Sequence, residues 1–221
     1  MHNRTTSLKR LDISNKDQLF AADEQRDIAL CGRSLAEPGT TRFAKQGAHD
    51  PTPTPYFILE SLFSDLEFFD DSHLLDVGCG TGRILSFFVQ SGLPGKATGI
   101  ELDPDIAEYA RAWTRRFENV DVLCDNALEM PLDAFTHVYL FNPFDTNVLM
   151  QFIMKIEAEA RRSLTLVHMS DNGETYSYIG RSGWSLLRQG EFQSYRTATG
   201  RSFHVYDCPQ HFSIWRFDPE A

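Results

Sequence analysis

The segment Asp76-Val77-Gly78-Cys79-Gly80-Thr81-Gly82-Arg83 constrains this chain more than any other. It follows a short apolar run, Leu74 to Val77, and opens a helical pattern from Arg83 to Ser91 that Gly92 and Pro94 end. Glycines in such a loop let the backbone turn sharply and let a ligand lie against the main chain. The same alternation continues downstream. Ala97 to Ile100, Val120 to Cys124, His137 to Phe141 and Leu164 to His168 read as buried strands. Tyr56 to Leu66, Asp103 to Arg116 with Pro104 at the first helical position, and Asn147 to Arg161 read as helices. Strands alternating with helices imply a parallel sheet, and right-handed crossovers place helices on both of its faces. Trp184 to Gln189 and Ser202 to Asp207, continuing to Phe217, read as strands with no long helix between them. They predict an antiparallel edge. The expected architecture is α/β, a doubly wound sheet closed by a C-terminal antiparallel hairpin.

The chain divides near residue 55. Before it the composition is polar and broken. Asp17 to Cys31 is a candidate helix with Leu19, Phe20, Ala22, Ile28 and Leu30 as an imperfect apolar stripe. Pro38, Gly39, Gly47 and the run Pro51-Thr52-Pro53-Thr54-Pro55 read as loop and stiff extended connector, because proline biases its predecessor away from helix. Residues 1–55 are therefore expected to be an N-terminal extension folding as a lid over the cleft, and residues 56–221 the main domain. The chain's 221 residues suit one medium core. The longest apolar run falls short of the ~20 residues that span a bilayer, and Met1 to Arg10 lacks the apolar stretch of a signal peptide. Cys31, Cys79, Cys124 and Cys208 are scattered without a CxxC pair, which argues against zinc and disulfides and for a cytoplasmic location. A formal net charge of −10 repels phosphate backbones and argues against tight nonspecific nucleic-acid binding.

The glycine loop matches neither common nucleotide fingerprint. A dinucleotide loop would carry glycine where Arg83 stands, and a phosphate loop would end in Gly-Lys-Ser/Thr. Asp76, two residues before the first glycine, suits a cationic ligand better than a pyrophosphate. Two more acids fall at strand ends. Glu101 ends the second strand, where a carboxylate can accept both hydroxyls of a ribose. Asp125, beside Asn126 and Ala127, follows the third, where a side-chain oxygen can accept from an adenine amino group. Ligands of open α/β sheets bind outside the carboxyl ends of the strands, so three polar positions at three successive ends outline one site.

Leu74 to Gly82 resembles the first motif of class I S-adenosylmethionine (SAM)-dependent methyltransferases. Gly99-Ile100-Glu101-Leu102-Asp103 resembles their second motif, and Cys124-Asp125-Asn126-Ala127 their adenine-side motif. The likeness covers roughly residues 56 to 217. It implies a Rossmann-like seven-stranded sheet and SAM as cofactor, whose ammonium and sulfonium fit the acid at Asp76. It further implies that Gly78, Gly80 and Gly82 approach the cofactor through backbone, that Asp76 sits near its ammonium, that Glu101 binds ribose, and that Leu102 packs on adenine. Gly39-Thr40-Thr41, Pro53-Thr54-Pro55-Tyr56 and Asn142-Pro143-Phe144 are similar to elements of a group of uncharacterised bacterial methyltransferases. Tyr56 is a candidate to close over the methyl donor, with capping of the core as the alternative.

The methyl acceptor is expected at the end of the fourth strand, at Phe141-Asn142-Pro143-Phe144-Asp145. This resembles the Asn-Pro-Pro-Tyr/Phe motif of amino-group methyltransferases, with one proline in place of two. The resemblance implies that Asn142 and the Pro143 carbonyl hold an acceptor nitrogen, with Asn142 also beside the cofactor and Phe144 walling the pocket. A strand-end turn with Phe144 packed on the next helix is the structural alternative. Asp145 and His168 are further candidates to line the cleft, His168 with a structural role as its alternative. His204 and His211 flank Cys208 at a spacing that puts them on opposite strand faces, so no metal site is expected. The expected partner is a methyl acceptor, a nitrogen of a small molecule or protein side chain. Oxygen or carboxylate acceptors, and a non-catalytic SAM-binding or regulatory module, are the alternatives.

Overall fold

The computed structural model describes residues 13–36 and 39–221. Helix α1 (Lys16–Cys31) starts where the Asn15 side chain accepts the Gln18 N–H at 2.9 Å. It stops at Gly32, whose φ of 74° lies in the left-handed region. Its buried residues are Leu19, Asp23, Asp27 and Cys31, one line along the helix at four-residue spacing. The expected apolar stripe is thus corrected: Phe20 and Ile28 are exposed, and two carboxylates face inward instead.

After Pro55 come α2 (Tyr56–Phe63), β1 (His73–Val77), α3 (Arg83–Gln90), β2 (Lys96–Glu101), α4 (Pro104–Thr114), β3 (Val120–Cys124), β4 (His137–Phe141), α5 (Thr146–Glu159) and β5 (Leu164–Ser170). The chain ends with β6 (Trp184–Phe192), β7 (Ser194–Arg196), β8 (Ser202–His204) and β9 (Gln210–Phe217). The seven-stranded sheet runs β3-β2-β1-β4-β5-β9-β6. Strands β1 to β5 are parallel, and β9 lies antiparallel between β5 and β6. The order reverses at β1, with β2 on one side and β4 on the other, which is where a doubly wound sheet opens a crevice. The stretch from Ser202 to Phe217 is not one strand. Ser202–His204 pairs only with Ser194–Arg196 in a separate two-stranded ribbon, and Gln210–Phe217 alone enters the main sheet.

Each central strand is buried on both faces, so its residues alternate between two cores. Leu74 belongs to the core under α2, α3 and α4, together with Cys31 and Leu35 from the N-terminal segment. Leu75 and Val77 belong to the core under α5. Asp76 therefore shares the face of Leu74, and its register partner Tyr139 on β4 lies in that same core. No helix among the described residues is long and apolar enough to cross a membrane.

Candidate active site

The glycine loop hangs from the ends of β1 and β2: the N–H groups of Gly78 and Cys79 both donate to the Ile100 carbonyl, at 2.9 and 3.0 Å. Gly78 has φ of 68°, and a Cβ there would lie 2.8 Å from the Pro143 side chain, so only glycine fits between the first loop and the end of β4. The loop lines one wall of a cleft of about 1150 Å³, its mouth included. Asp76, Gly78, Gly80, Glu101, Leu102, Asp125, Asn126, Ala127, Asn142, Pro143 and Phe144 all line it. Sequence reasoning thus placed most of its candidates in one concavity.

Four candidates do not line the cleft. Tyr56 is fully buried beneath the cleft, its hydroxyl donating to Asp27 Oδ1 at 2.8 Å and standing 2.8 Å from Ser86 Oγ. It does not line the cleft; its hydroxyl is engaged by Asp27 of α1. Gly82 begins α3 with φ of 92°, and a Cβ there would lie 2.9 Å from the Trp113 ring. Its role is to let α4 pack close, and the cleft wall passes it by. His168 is also removed from the site: it is buried, 3.0 Å from the Tyr178 hydroxyl, and burial pulls its pKa down to about 3. Asp145 stands at the outer edge, with an exposed side chain.

The acids differ in how they are held. Glu101 accepts the Gly80 N–H on Oε2 at 3.0 Å and the Asp103 N–H on Oε1 at 2.9 Å. Burial raises its pKa, and these backbone donors oppose the rise. It both shapes the glycine loop and presents remaining lone pairs to the cleft. Asp76 is more costly. Burial, with the Glu101 charge second, lifts its pKa well above the usual carboxylate range, and its Oδ2 has no hydrogen-bond partner. Asp125 sits at the mouth, where its Oδ1 accepts the Asn126 N–H at 2.7 Å.

Asn142 ends β4 with φ of 45°, a left-handed conformation that asparagine tolerates better than most residues. Its Oδ1 is buried without a partner, and its Nδ2 lies 3.5 Å from Asp171 Oδ1. The Pro143 carbonyl is engaged, since it accepts the His49 N–H at 3.1 Å. Phe144 lines the cleft and also packs on Phe152 of α5, ring centroids 5.9 Å apart.

The lining residues that sequence reasoning did not single out as site residues include His49, Thr54, Arg83 and Tyr139. Residues 46 and 48–54 run across the cleft. Ala48 bridges to Phe144, the Asp145 N–H donates to Gly47, and the His49 ring nitrogens lie 2.9 Å from the Asn142 carbonyl and 3.0 Å from Asp145 Oδ1. Thr54 Oγ1 meets the Tyr139 hydroxyl at 2.7 Å. Arg83 carries a cation at the start of a helix, where the dipole disfavours it. That placement was the available signal for a special role.

Residues 74–165 match a family model described as a methyltransferase domain. That match covers less than half of the chain and includes the motifs at the ends of β1, β2 and β3. No curated protein matches this chain. Among solved structures it is similar to an RNA methyltransferase from Salinibacter ruber in complex with S-adenosyl-L-homocysteine (SAH). That match has 19% identity and a TM-score of 0.55, covering 77% of this chain and 96% of the other. It is also similar to the YcgJ protein from Bacillus subtilis, at 11% identity and a TM-score of 0.57, covering 75% and 100%. A third likeness is to a protein studied for conversion of a disulfide bond into a thioacetal group during echinomycin biosynthesis. There the identity is 16% and the TM-score 0.55, over 90% and 94%.

The cleft fits SAM, the cofactor of the class. An unpartnered buried carboxylate at Asp76 suits its ammonium, and Glu101 stands at the strand end where a ribose diol would be accepted. SAM supplies a methyl group on a sulfonium that is already a good leaving group. The protein's share is to align the acceptor and exclude water.

Proposed function

We propose that this chain is a SAM-dependent methyltransferase and that it acts on a nitrogen of a small molecule or a protein side chain. The observation that carries the reading is Asn142 Oδ1, a buried acceptor without a partner at the end of β4. An N–H of the acceptor would satisfy it, and leaving it unmet costs about 1–3 kcal/mol. Because the Pro143 carbonyl already receives the His49 N–H, the positioning falls mainly to the Asn142 side chain. Phe144 supplies an apolar wall.

Asp76, Gly78, Gly80, Glu101, Leu102, Asp125, Asn126 and Ala127 form the cofactor side of the cleft in this reading, with Asn142 between cofactor and acceptor. Residues 46–54 act as its cover, the lid expected of an N-terminal extension. The net charge of −10 favours a small or protein acceptor over nucleic acid, although the similar solved structures include an RNA methyltransferase and an rRNA methylase. A cytoplasmic setting agrees with unpaired cysteines.

The experiment is to incubate the purified protein with methyl-labelled SAM and cell extract and to identify labelled products by mass spectrometry. With a product in hand, Asn142→Ala should lower turnover by about tenfold or more while SAM affinity changes little, because its contact is to the acceptor. A product methylated on oxygen, or near-normal turnover in Asn142→Ala, would refute the nitrogen reading.

A further inference from the structure

His49 lies between two oxygens that accept and do not donate. Its Nδ1 is 2.9 Å from the Asn142 carbonyl, and its Nε2 is 3.0 Å from Asp145 Oδ1. A neutral imidazole donates from one nitrogen only, so it satisfies one of these partners and turns a lone pair toward the other. The imidazolium donates from both. In acid both bonds form, and in base one is lost. Three carboxylates stand at this junction. Asp145 precedes α5 and pairs with the ring, and Asp171, after β5, lies 3.5 Å from Asn142 Nδ2. Asp50, next along the cover, accepts the Thr41 N–H at 2.8 Å. Lys45, in the turn Ala44–Gln46 that leads into the cover, makes no ion pair with them among the described residues.

This junction holds one end of the cover. Residues 46 and 48–54 line the cleft. Their backbone meets the end of β4 through two bonds, Asp145 N–H to the Gly47 carbonyl at 2.8 Å and His49 N–H to the Pro143 carbonyl at 3.1 Å. Further along, Pro51 and Pro53 have no N–H to donate, and the next side-chain tether is Thr54 on Tyr139. We propose that His49 is a pH-sensitive latch on the cleft: as imidazolium it holds the cover shut against Asn142 and Asp145, and loss of its proton frees the cover to open. The latch touches the site directly, because Asn142 and Pro143, which the ring and its own N–H engage, both line the cleft. A shut cover retains what lies beneath it, so a bound ligand is held better in acid than an unlatched cover would hold it. The latch itself does not depend on the ligand's identity; only the ligand measurement below rests on SAM being the cofactor.

The test is hydrogen exchange on the full chain at about pH 6 and about pH 8.5, a span across which histidine changes charge. It is read at the His49 and Asp145 N–H groups and corrected for the intrinsic pH dependence of exchange. Protection in the unaltered protein should fall about three- to tenfold from acid to base, the worth of one charge-assisted hydrogen bond discounted for partly exposed partners. His49→Gln has no titrating group at this position and should show no such fall. Asp145→Ala leaves the Asn142 carbonyl as the ring's acceptor, which a neutral imidazole satisfies, so its profile should flatten too. The two side chains are 35% and 64% exposed, so both variants should fold. Calorimetry with SAH adds the ligand. Titration of Asp76 is common to the unaltered protein and His49→Gln, so the quantity read is the ratio of their affinities. It should be about threefold or more in acid and close to one in base. Protection that does not change with pH in the unaltered protein, or a fall that persists in His49→Gln, would overturn the latch. A constant affinity ratio would overturn its hold on the ligand. Failure of SAH to bind at either pH would instead overturn the cofactor reading, with the exchange profile still deciding the latch.

Discussion

Asp76→Asn should move stability and cofactor affinity in opposite directions. In the free protein Asp76 is 3% exposed, its Oδ2 has no partner, and Glu101 adds a second negative charge nearby. An ionised carboxylate so placed carries a desolvation penalty of several kcal/mol. The amide is uncharged, and its unmet N–H groups cost about 1–3 kcal/mol. The balance favours the variant by roughly 1–2 kcal/mol, which for a chain of this size raises Tm by about 2–8 °C. The sign with pH is fixed by the direction of the shift. The folded state holds the Asp76 proton more tightly than the unfolded chain, whose aspartates titrate near 3.9. The stability this proton confers is present at low pH and is lost as pH rises through the raised folded pKa. The stabilisation by Asp76→Asn should therefore be seen at neutral pH and shrink in acid. SAH binding runs the other way. Its ammonium supplies the missing partner, so the variant should lose about 2–3 kcal/mol of affinity at neutral pH, the worth of a charged hydrogen bond. Affinity of the unaltered protein should fall as pH drops and Asp76 protonates. Thermal melts and calorimetry across pH read both quantities. A variant with lower Tm at neutral pH and unchanged SAH affinity would refute the reasoning, because Asp76 would then be a satisfied structural acid.

Glu101→Ala should weaken SAH binding by about 2–3 kcal/mol and also lower Tm, since the Gly80 and Asp103 N–H groups lose their acceptor; a melt identical to the unaltered protein would contradict the second role. Gly78→Ala forces a left-handed backbone costing about 1–2 kcal/mol and a contact of 2.8 Å with Pro143, so Tm and SAH affinity should both fall; calorimetry showing normal binding would mean the loop relaxes freely. His49→Ala removes both side-chain bonds from the cover to the end of β4 and should weaken SAH binding by about 1–2 kcal/mol with little change in Tm; unchanged affinity would remove the cover from the binding site. Deleting residues 1–50 should give an unstable protein, because Arg83 would lose Asp23 and Asp27 and stand as an unpaired buried charge; a cooperative melt near that of the full chain would count against this.

The parallel sheet was legible because its strands are buried on both faces and so read as short continuous apolar runs between turn residues. The acids at the strand ends were legible for the opposite reason: charge directly after an apolar run is conspicuous. Glu101 and Asp76 stood out in this way. What the sequence concealed is where polar residues meet other polar residues. Asp23 and Asp27 lie on the buried line of Leu19 and Cys31, while Phe20 and Ile28 of the expected stripe are exposed. Periodicity weighs apolar residues, so it put the wrong side of α1 inward. Arg83 across the interface, with the Tyr56 and Leu35 donors, compensates the two buried carboxylates, and a contact between α1 and α3 leaves no local trace. The C-terminal strands failed for a related reason. Ser202–His204 and Gln210–Phe217 share one β-rich composition, and the break at Tyr206 to Pro209 decides which of them reaches β5.

The same polar contacts explain why the N-terminal segment belongs with the site rather than beside it. Its proline run suggested a connector, and Pro51 does lie against Gly80, 3.0 Å from where a Cβ would stand. A stiff extended stretch offers few hydrogen-bonding groups of its own, so backbone bonds of Gly47 and His49 to the end of β4 are joined by two side-chain tethers. His49 fastens it to Asn142 and Asp145, and Thr54 fastens it to Tyr139. Below Thr54 the chain turns into α2, where Tyr56 meets Asp27 and, through it, Arg83. One short stretch thus touches the β4 end where the acceptor is expected, the face of Asp76, and the aspartate that aims Arg83. If the cover and the Arg83 network act as one unit, His49→Ala combined with Tyr56→Phe should weaken SAH binding by more than the sum of the single variants. Additive effects within about 0.5 kcal/mol would show that the cover and the buried network contribute independently.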